Sequence, residues 1–113
     1  MKYLCLIYCA EDKSLIDADY PQQDACKLYA TQLAETGRLL AGEMLASEHA
    51  TTTLRLRNGR VDLKDGPQAV MELPLTGFNL INARDLNDAI HIAAGMPAAR
   101  KGCIEIRPVR ELS

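Results

Sequence analysis

Residues 2–9 read as a β-strand that is apolar on both faces, with Leu4, Leu6 and Tyr8 on one side and Tyr3, Cys5 and Ile7 on the other. Side chains alternate across a strand, so such a segment needs a packed layer over each face. The polar stretch 11–17 reads as a loop. Pro21 suits the first position of a helix, where a missing N–H costs nothing, with Asp19 or Tyr20 at the cap. Ala25, Leu28, Tyr29, Leu33 and Thr36 recur at helical spacing and mark its inner face, and Gly37 supplies the left-handed residue that ends it. Residues 38–45 form a short strand. After the loop 46–50, the stretches 51–57 and 60–64 flank Asn58-Gly59, whose tolerance of positive φ predicts a tight hairpin. Asp65-Gly66-Pro67 breaks the returning strand, and 77–83 form another. Asp85 caps a second helix with Asp88 in its first turn; Leu86, Ala89, Ile90 and Ala93 are its expected buried stripe, and Pro97 ends it. Residues 102–109 make the last strand.

The order is β-α-β, a hairpin, then β-α-β. Without the hairpin this is a split β-α-β pair, so the expected class is α+β: a ferredoxin-like sandwich with an inserted hairpin and both helices on one face of an antiparallel sheet. The other face is then bare within one chain, although the first strand is apolar on both sides. A bare apolar sheet face is a surface for a partner, most simply a second identical chain. Two such sheets face to face enclose a barrel-like space, and a homodimer built as a dimeric α+β barrel is the expected assembly.

Composition sharpens this picture. A chain of 113 residues, 48% hydrophobic and 25% charged, makes one globular domain spanning 1–113. With four Tyr, one Phe and no Trp, a large aromatic-lined pocket inside one chain is not expected. The net charge of −2, with acids and bases interspersed, gives no footprint for nucleic acid or an anionic membrane, and no apolar run approaches a membrane span. The apolar start is too short for a signal peptide and runs into Glu11-Asp12-Lys13, so the expected location is the cytoplasm. Four cysteines show no Cys-x-x-Cys and no zinc spacing. Cys5 and Cys9 would stand roughly 13 Å apart along a straight strand, beyond the ~7 Å a disulfide allows. The cysteines therefore read as small buried hydrophobes, and neither a metal nor a cofactor is expected.

Charges inside strands are the candidate chemistry. Glu43 lies among apolar residues, and Gly42 beside it leaves room for a close backbone approach or a bulge. Glu105 and Arg107 alternate with Ile104 and Ile106 and share a face with Cys103. Facing into a dimer barrel, they would line a semi-enclosed space able to bind a polar small molecule, with burial raising a carboxylate into the acid–base range. The same pattern fits an edge strand with a solvated outer face and an ion pair. Asp65 before Gly66-Pro67 is either a carboxylate held at a cleft rim or turn chemistry, in which Asp bonds the following amides and Pro sets φ. His49 and His91 have no partner at fixed spacing, and no nucleophile triad or phosphate loop is present.

Several segments in order resemble the YCII-related proteins, and within them the DGPF-domain branch: Met1-Lys2-Tyr3-Leu4, Gly42-Glu43-Met44-Leu45, the run from Thr52 to Gly59, Lys64-Asp65-Gly66-Pro67, Thr76-Gly77-Phe78, Asp85-Leu86-Asn87-Asp88-Ala89, and Pro97-Ala98-Ala99-Arg100 leading into Ile104-Glu105-Ile106-Arg107-Pro108-Val109. The resemblance implies a ferredoxin-like α+β fold dimerising around a barrel. It raises Asp65 to the leading functional carboxylate; taken with the strand pattern, Asp65 and Glu43 are the catalytic candidates and Glu105, Arg107, Gly66 and Pro67 the ligand-binding ones. It further implies a small protein in a regulatory or stress context, binding a small molecule by the dimer barrel, or else a small lyase- or isomerase-type enzyme using Asp65 or Glu43 as acid–base. Two departures matter. Gln68 stands where the branch usually has Phe, and residues 19–36 lack the histidine that YCII relatives carry in the first helix. Half of the acid–base pair suspected in those relatives is therefore missing.

Overall fold

The computed structural model describes residues 1–10 and 21–111, and for 21–26 the backbone alone. The expected loop 11–17, the cap at Asp19 or Tyr20 and the side chains of Ala25 and Cys26 lie outside the described residues. The elements are β1 (Lys2–Tyr8), α1 (Pro21–Glu35), β2 (Leu39–Met44), a 3-10 turn (Glu48–Ala50), β3 (Thr52–Arg57), β4 (Arg60–Asp65), β5 (Leu75–Asn82), α2 (Leu86–Ala94), α3 (Ala98–Lys101) and β6 (Cys103–Pro108). Four strands form an antiparallel sheet in the order β2-β5-β1-β6. β1 and β2 flank β5, while β5 and β6 flank β1, so each helical crossover joins strands separated by one other. This α+β arrangement is compatible with a ferredoxin-like fold. β3 and β4 form a two-stranded sheet of their own.

Alternation along β1 organises the core. Tyr3, Cys5 and Ile7 are buried, while Leu4, Leu6 and Tyr8 remain half-exposed. The buried side packs with Ile81 and Ala83 against Leu33 of α1 and Ala89, Ile92, Ala93 and Met96 of the α2 region. The Tyr29 hydroxyl donates to the Ile92 carbonyl at 2.7 Å and ties the two helices together. Burial pushes the Tyr29 phenol up from its ordinary value.

Both helical faces are turned from their expected positions. On α2 the buried residues are Ala89, Ile92 and Ala93, whereas Leu86 and Ile90 are 50% and 47% exposed. The small Ala89 and Ala93 let the backbone approach the sheet, which rotates the stripe toward Ile92. On α1 the contact centres on Tyr29 and Leu33, spaced one helical turn apart, and Leu28 is exposed. The bulge admitted at Gly42 falls earlier in β2, between Leu39 and Ala41, and Gly42 itself lies against the Asn79 side chain.

The start of α2 is closed as the sequence predicts. Asp85 Oδ1 accepts from the Asp88 N–H at 2.8 Å. The Asp88 carboxylate accepts from the Arg84 N–H at 3.0 Å and pairs with its guanidinium at 3.5 Å. The Arg84 backbone N–H, seconded by that guanidinium, holds the Asp88 carboxyl below its ordinary 3.8. A depressed carboxylate contributes stability that is present above the unfolded pKa and lost as pH falls through the folded one. Asp88→Asn should thus lower Tm at pH 7 and shrink the wild-type loss of Tm below about pH 4; parallel wild-type and variant pH profiles would contradict this. In urea, Ile81→Ala, at a side chain with 0% exposure, should cost about 2–5 kcal/mol of unfolding free energy.

Candidate functional site

The register of the sheet places polar residues on the face away from the helices. Glu43 pairs with Phe78, Phe78 with Leu6, and Leu6 with Glu105, giving one row across all four strands. The next row is Ala41, Leu80, Leu4 and Arg107. Tyr8 stands opposite Cys103, which is exposed on the same face. The face thus has an apolar middle of Leu4, Leu6, Phe78 and Leu80, an acid at one edge, and an acid with a base at the other.

At the β6 edge three side chains meet. The Tyr8 phenol lies above its ordinary 10 chiefly through side-chain hydrogen bonding toward the Glu105 carboxylate, with burial, the Glu105 charge and Cys103 adding to it and Arg107 opposing it. Arg107 Nη2 lies 3.7 Å from Glu105 Oε1, with the two side chains 67% and 44% exposed. An ion pair so open to water is worth about 0–1 kcal/mol. In the single chain the cluster therefore presents hydrogen-bonding capacity without adding much stability. Its position depends on Gly102, where a Cβ would collide with the Tyr8 carbonyl, so only glycine lets β6 begin this close to the end of β1.

The other candidates are dispersed. Glu43 shares the face, but β2 lies three inter-strand spacings from β6, roughly 14 Å, so Glu43 and Glu105 do not meet within the chain. Asp65 ends β4 opposite Thr52, exposed, and its carboxylate makes no hydrogen bond or ion pair among the described residues. The expected bond from Asp65 to the amides after it is not formed. Instead the Gly66 N–H donates to the Thr51 carbonyl and the Thr53 hydroxyl donates to the Gly66 carbonyl, both at 2.8 Å. Gly66, at φ 94°, and the half-buried Pro67 continue from the hairpin base. His49 sits exposed in the 3-10 turn and His91 exposed on α2; neither imidazole is paired among the described residues.

Tyr8 is the residue that sequence reasoning missed as a functional candidate. The signal was available: Tyr8 has the parity of Leu4 and Leu6, Glu105 that of Cys103 and Arg107, and antiparallel pairing of first and last strands unites the two sets. Two depressions lie elsewhere. One, of about 330 Å³, is lined by Met1, Arg38, Arg84 and Asp88 among others, and the other by Thr53, Arg55, Asp62, Lys64 and Gln68. Among the described residues, no three of His, Cys, Asp and Glu cluster as metal ligands and no helix is long and apolar enough to cross a membrane.

Removing the acceptor should release Tyr8. In a spectrophotometric titration, with Tyr8→Phe subtracted to isolate the signal, Glu105→Gln should move the Tyr8 ionisation down toward 10 and Arg107→Met should move it up. An unchanged midpoint in Glu105→Gln would remove the hydrogen bond from the account.

A family model described as the YCII-related domain matches residues 1–113. The chain is also 31% identical over 113 residues to an uncharacterised protein of Rhizobium meliloti (strain 1021), R00369, an alignment covering 94% of this chain and 91% of that one.

Proposed function

The chain belongs to the YCII-related family, and from that premise we propose that it is a homodimer that binds a small polar or aromatic molecule in a cleft between two facing sheets. The observation that carries this reading is the open sheet face itself: Leu4, Leu6, Phe78 and Leu80 form a contiguous half-exposed apolar centre, flanked by Glu43 on one edge and by Tyr8, Glu105 and Arg107 on the other. A second copy laid over it would make a dimeric α+β barrel, exclude water from the centre and strengthen every polar contact at the rim. The apolar floor suits a flat or short apolar body. The carboxylates of Glu43 and Glu105 accept from hydroxyl, amide or amine groups of a ligand, and Arg107 meets an anionic one. Lys64-Asp65-Gly66-Pro67 supports a place in the DGPF branch, with β3 and β4 as a hairpin inserted into the ferredoxin-like frame and Asp65, Gly66 and Pro67 at the cleft rim. The role is binding in a regulatory or stress context in the cytoplasm, which fits the absence of a histidine in 19–36.

Light scattering at micromolar concentration should return twice the 12.4 kDa of one chain. Cys103, exposed in the single chain, should be alkylated slowly in wild type and fast in Leu6→Asp, whereas Cys5, buried and pushed up to about 11, should resist in both. A monomer mass with fast Cys103 alkylation in wild type would overturn the assembly. In a thermal-shift panel of phenols, aromatic carboxylates and amides, at least one class should raise the wild-type Tm and lose most of that shift in Glu105→Gln. No shift in wild type from any class would remove the small-molecule reading. An equal shift in Asp65→Asn would remove Asp65 from the binding site.

A further inference from the structure

The β3–β4 ribbon has two unlike faces and, among the described residues, packs substantially on no other element. Leu54 stands opposite Leu63 and Leu56 opposite Val61, so four apolar side chains share one face. Their exposures are 60%, 63%, 60% and 61% in that order. Thr53 opposite Lys64, Arg55 opposite Asp62 and Arg57 opposite Arg60 make up the other face. The turn, with Asn58 at φ 51° and Gly59 at φ 75°, sets this register and so keeps the two faces apart. A lone two-stranded ribbon is marginal in water, and one with four exposed apolar side chains on one face needs a surface to lie on. The chain is correspondingly extended, with a radius of gyration of 15.9 Å against roughly 13 Å for a compact domain of this length.

We propose that the apolar face of this hairpin is an arm that seats on the second copy of the chain, each subunit giving one arm and receiving one. The inference rests on the homodimer reading and extends it beyond the sheet face. Area selects the occupant. Four strands at ~4.8 Å spacing and about six residues at ~3.3 Å each give the open sheet face a footprint of roughly 400 Å², half of the ~800 Å² per partner of a stable interface. The arm face covers roughly 200 Å² by the same dimensions. Two-fold symmetry counts it twice for each chain, once given and once received, which closes the deficit. Asp65 shares the parity of Val61 and Leu63, so the seated arm carries this carboxylate, which makes no hydrogen bond or ion pair among the described residues, to the subunit boundary. There it completes a rim that one subunit leaves open.

The test is sedimentation of the full chain as wild type and as Leu56→Glu with Val61→Lys. These two positions face each other, so the new charges pair across the strands and preserve the hairpin while removing two of the four apolar side chains of its face. The expected result is a dimer for wild type and a dissociation constant raised by roughly 100-fold or more in the variant, with unchanged far-UV circular dichroism. A dimeric wild type with equally tight variant dimers overturns the arm and leaves the sheet-to-sheet dimer standing. A wild type that is monomeric throughout overturns both. Hydrogen exchange gives a measurement independent of the variant: wild-type amides in 54–63 should gain protection between protein concentrations well below and well above the measured dimer dissociation constant, on the order of the change in dimer fraction. Protection that does not depend on concentration overturns the arm.

Discussion

β1 is the strand on which the rest of the structure depends. It pairs with β5 on one side and β6 on the other, and it is apolar on both faces. Its backbone hydrogen bonds are satisfied inside the sheet, so it cannot turn one face away without surrendering the ladder. One face is covered by α1 and α2, where Cys5 reaches 0% exposure; the other, one residue along, carries Leu4, Leu6 and Tyr8 only half-buried. The same strand thus drives helix packing and creates an unsatisfied apolar surface. Register then transmits this division outward. A residue of β5 or β6 lies on the helix side or the open side according to the β1 residue it pairs with, and one residue of slip would exchange every member of the two sets.

That division explains why the polar cluster lies where it does and why it is weak alone. Glu105 and Arg107 occupy an outer strand, paired with Leu6 and Leu4, so water reaches them from the edge and from the open face. In that environment the ion pair is screened and adds little. The Tyr8–Glu105 interaction is different, because it joins an inner strand of the sheet to the outer strand β6. Gly102 permits the approach by removing the Cβ that would keep the two strands apart. The chemistry at this edge therefore follows from backbone proximity, and the side chains are arranged upon it.

Much of this was legible from period-two patterning. The two-faced first strand, the Asn58-Gly59 hairpin, the Asp85 cap and the element order come from local rules that tertiary packing did not override. What escaped were quantities set by neighbours. The α2 stripe is turned toward Ile92 because two alanines allow close approach to the sheet, a fact of packing that no helical period contains. The short α3 follows Pro97, which ends α2 and sits at the head of the next turn of helix. At the site, Glu105 and Arg107 stood out as charges in a strand, but their link to Tyr8 needs the pairing of chain ends some hundred residues apart. Asp65 stood out as turn chemistry, yet Thr53 and Gly66 close that turn and leave the carboxylate without a local task.

A chain of 113 residues buries a smaller fraction of its surface than a larger domain does. Among the described residues two contiguous apolar surfaces remain, the half-exposed sheet face and one face of the hairpin, beside scattered exposed side chains such as Leu28, Val70 and Ile90. Helix packing cannot remove either one, because both crossover helices are committed to the opposite side of the sheet. Adding a third layer from the same chain would require another crossover. In the homodimer we propose, symmetry would supply the layer without one, since a second copy presents the same faces in reverse order. The acid at the β2 edge and the acid–base pair at the β6 edge make the two rims unlike, so setting one β2 edge on the other would place acid against acid and cost free energy. In that proposed assembly the residues of the candidate site would also fix the register of the two copies, which would tie any ligand specificity to the geometry of assembly.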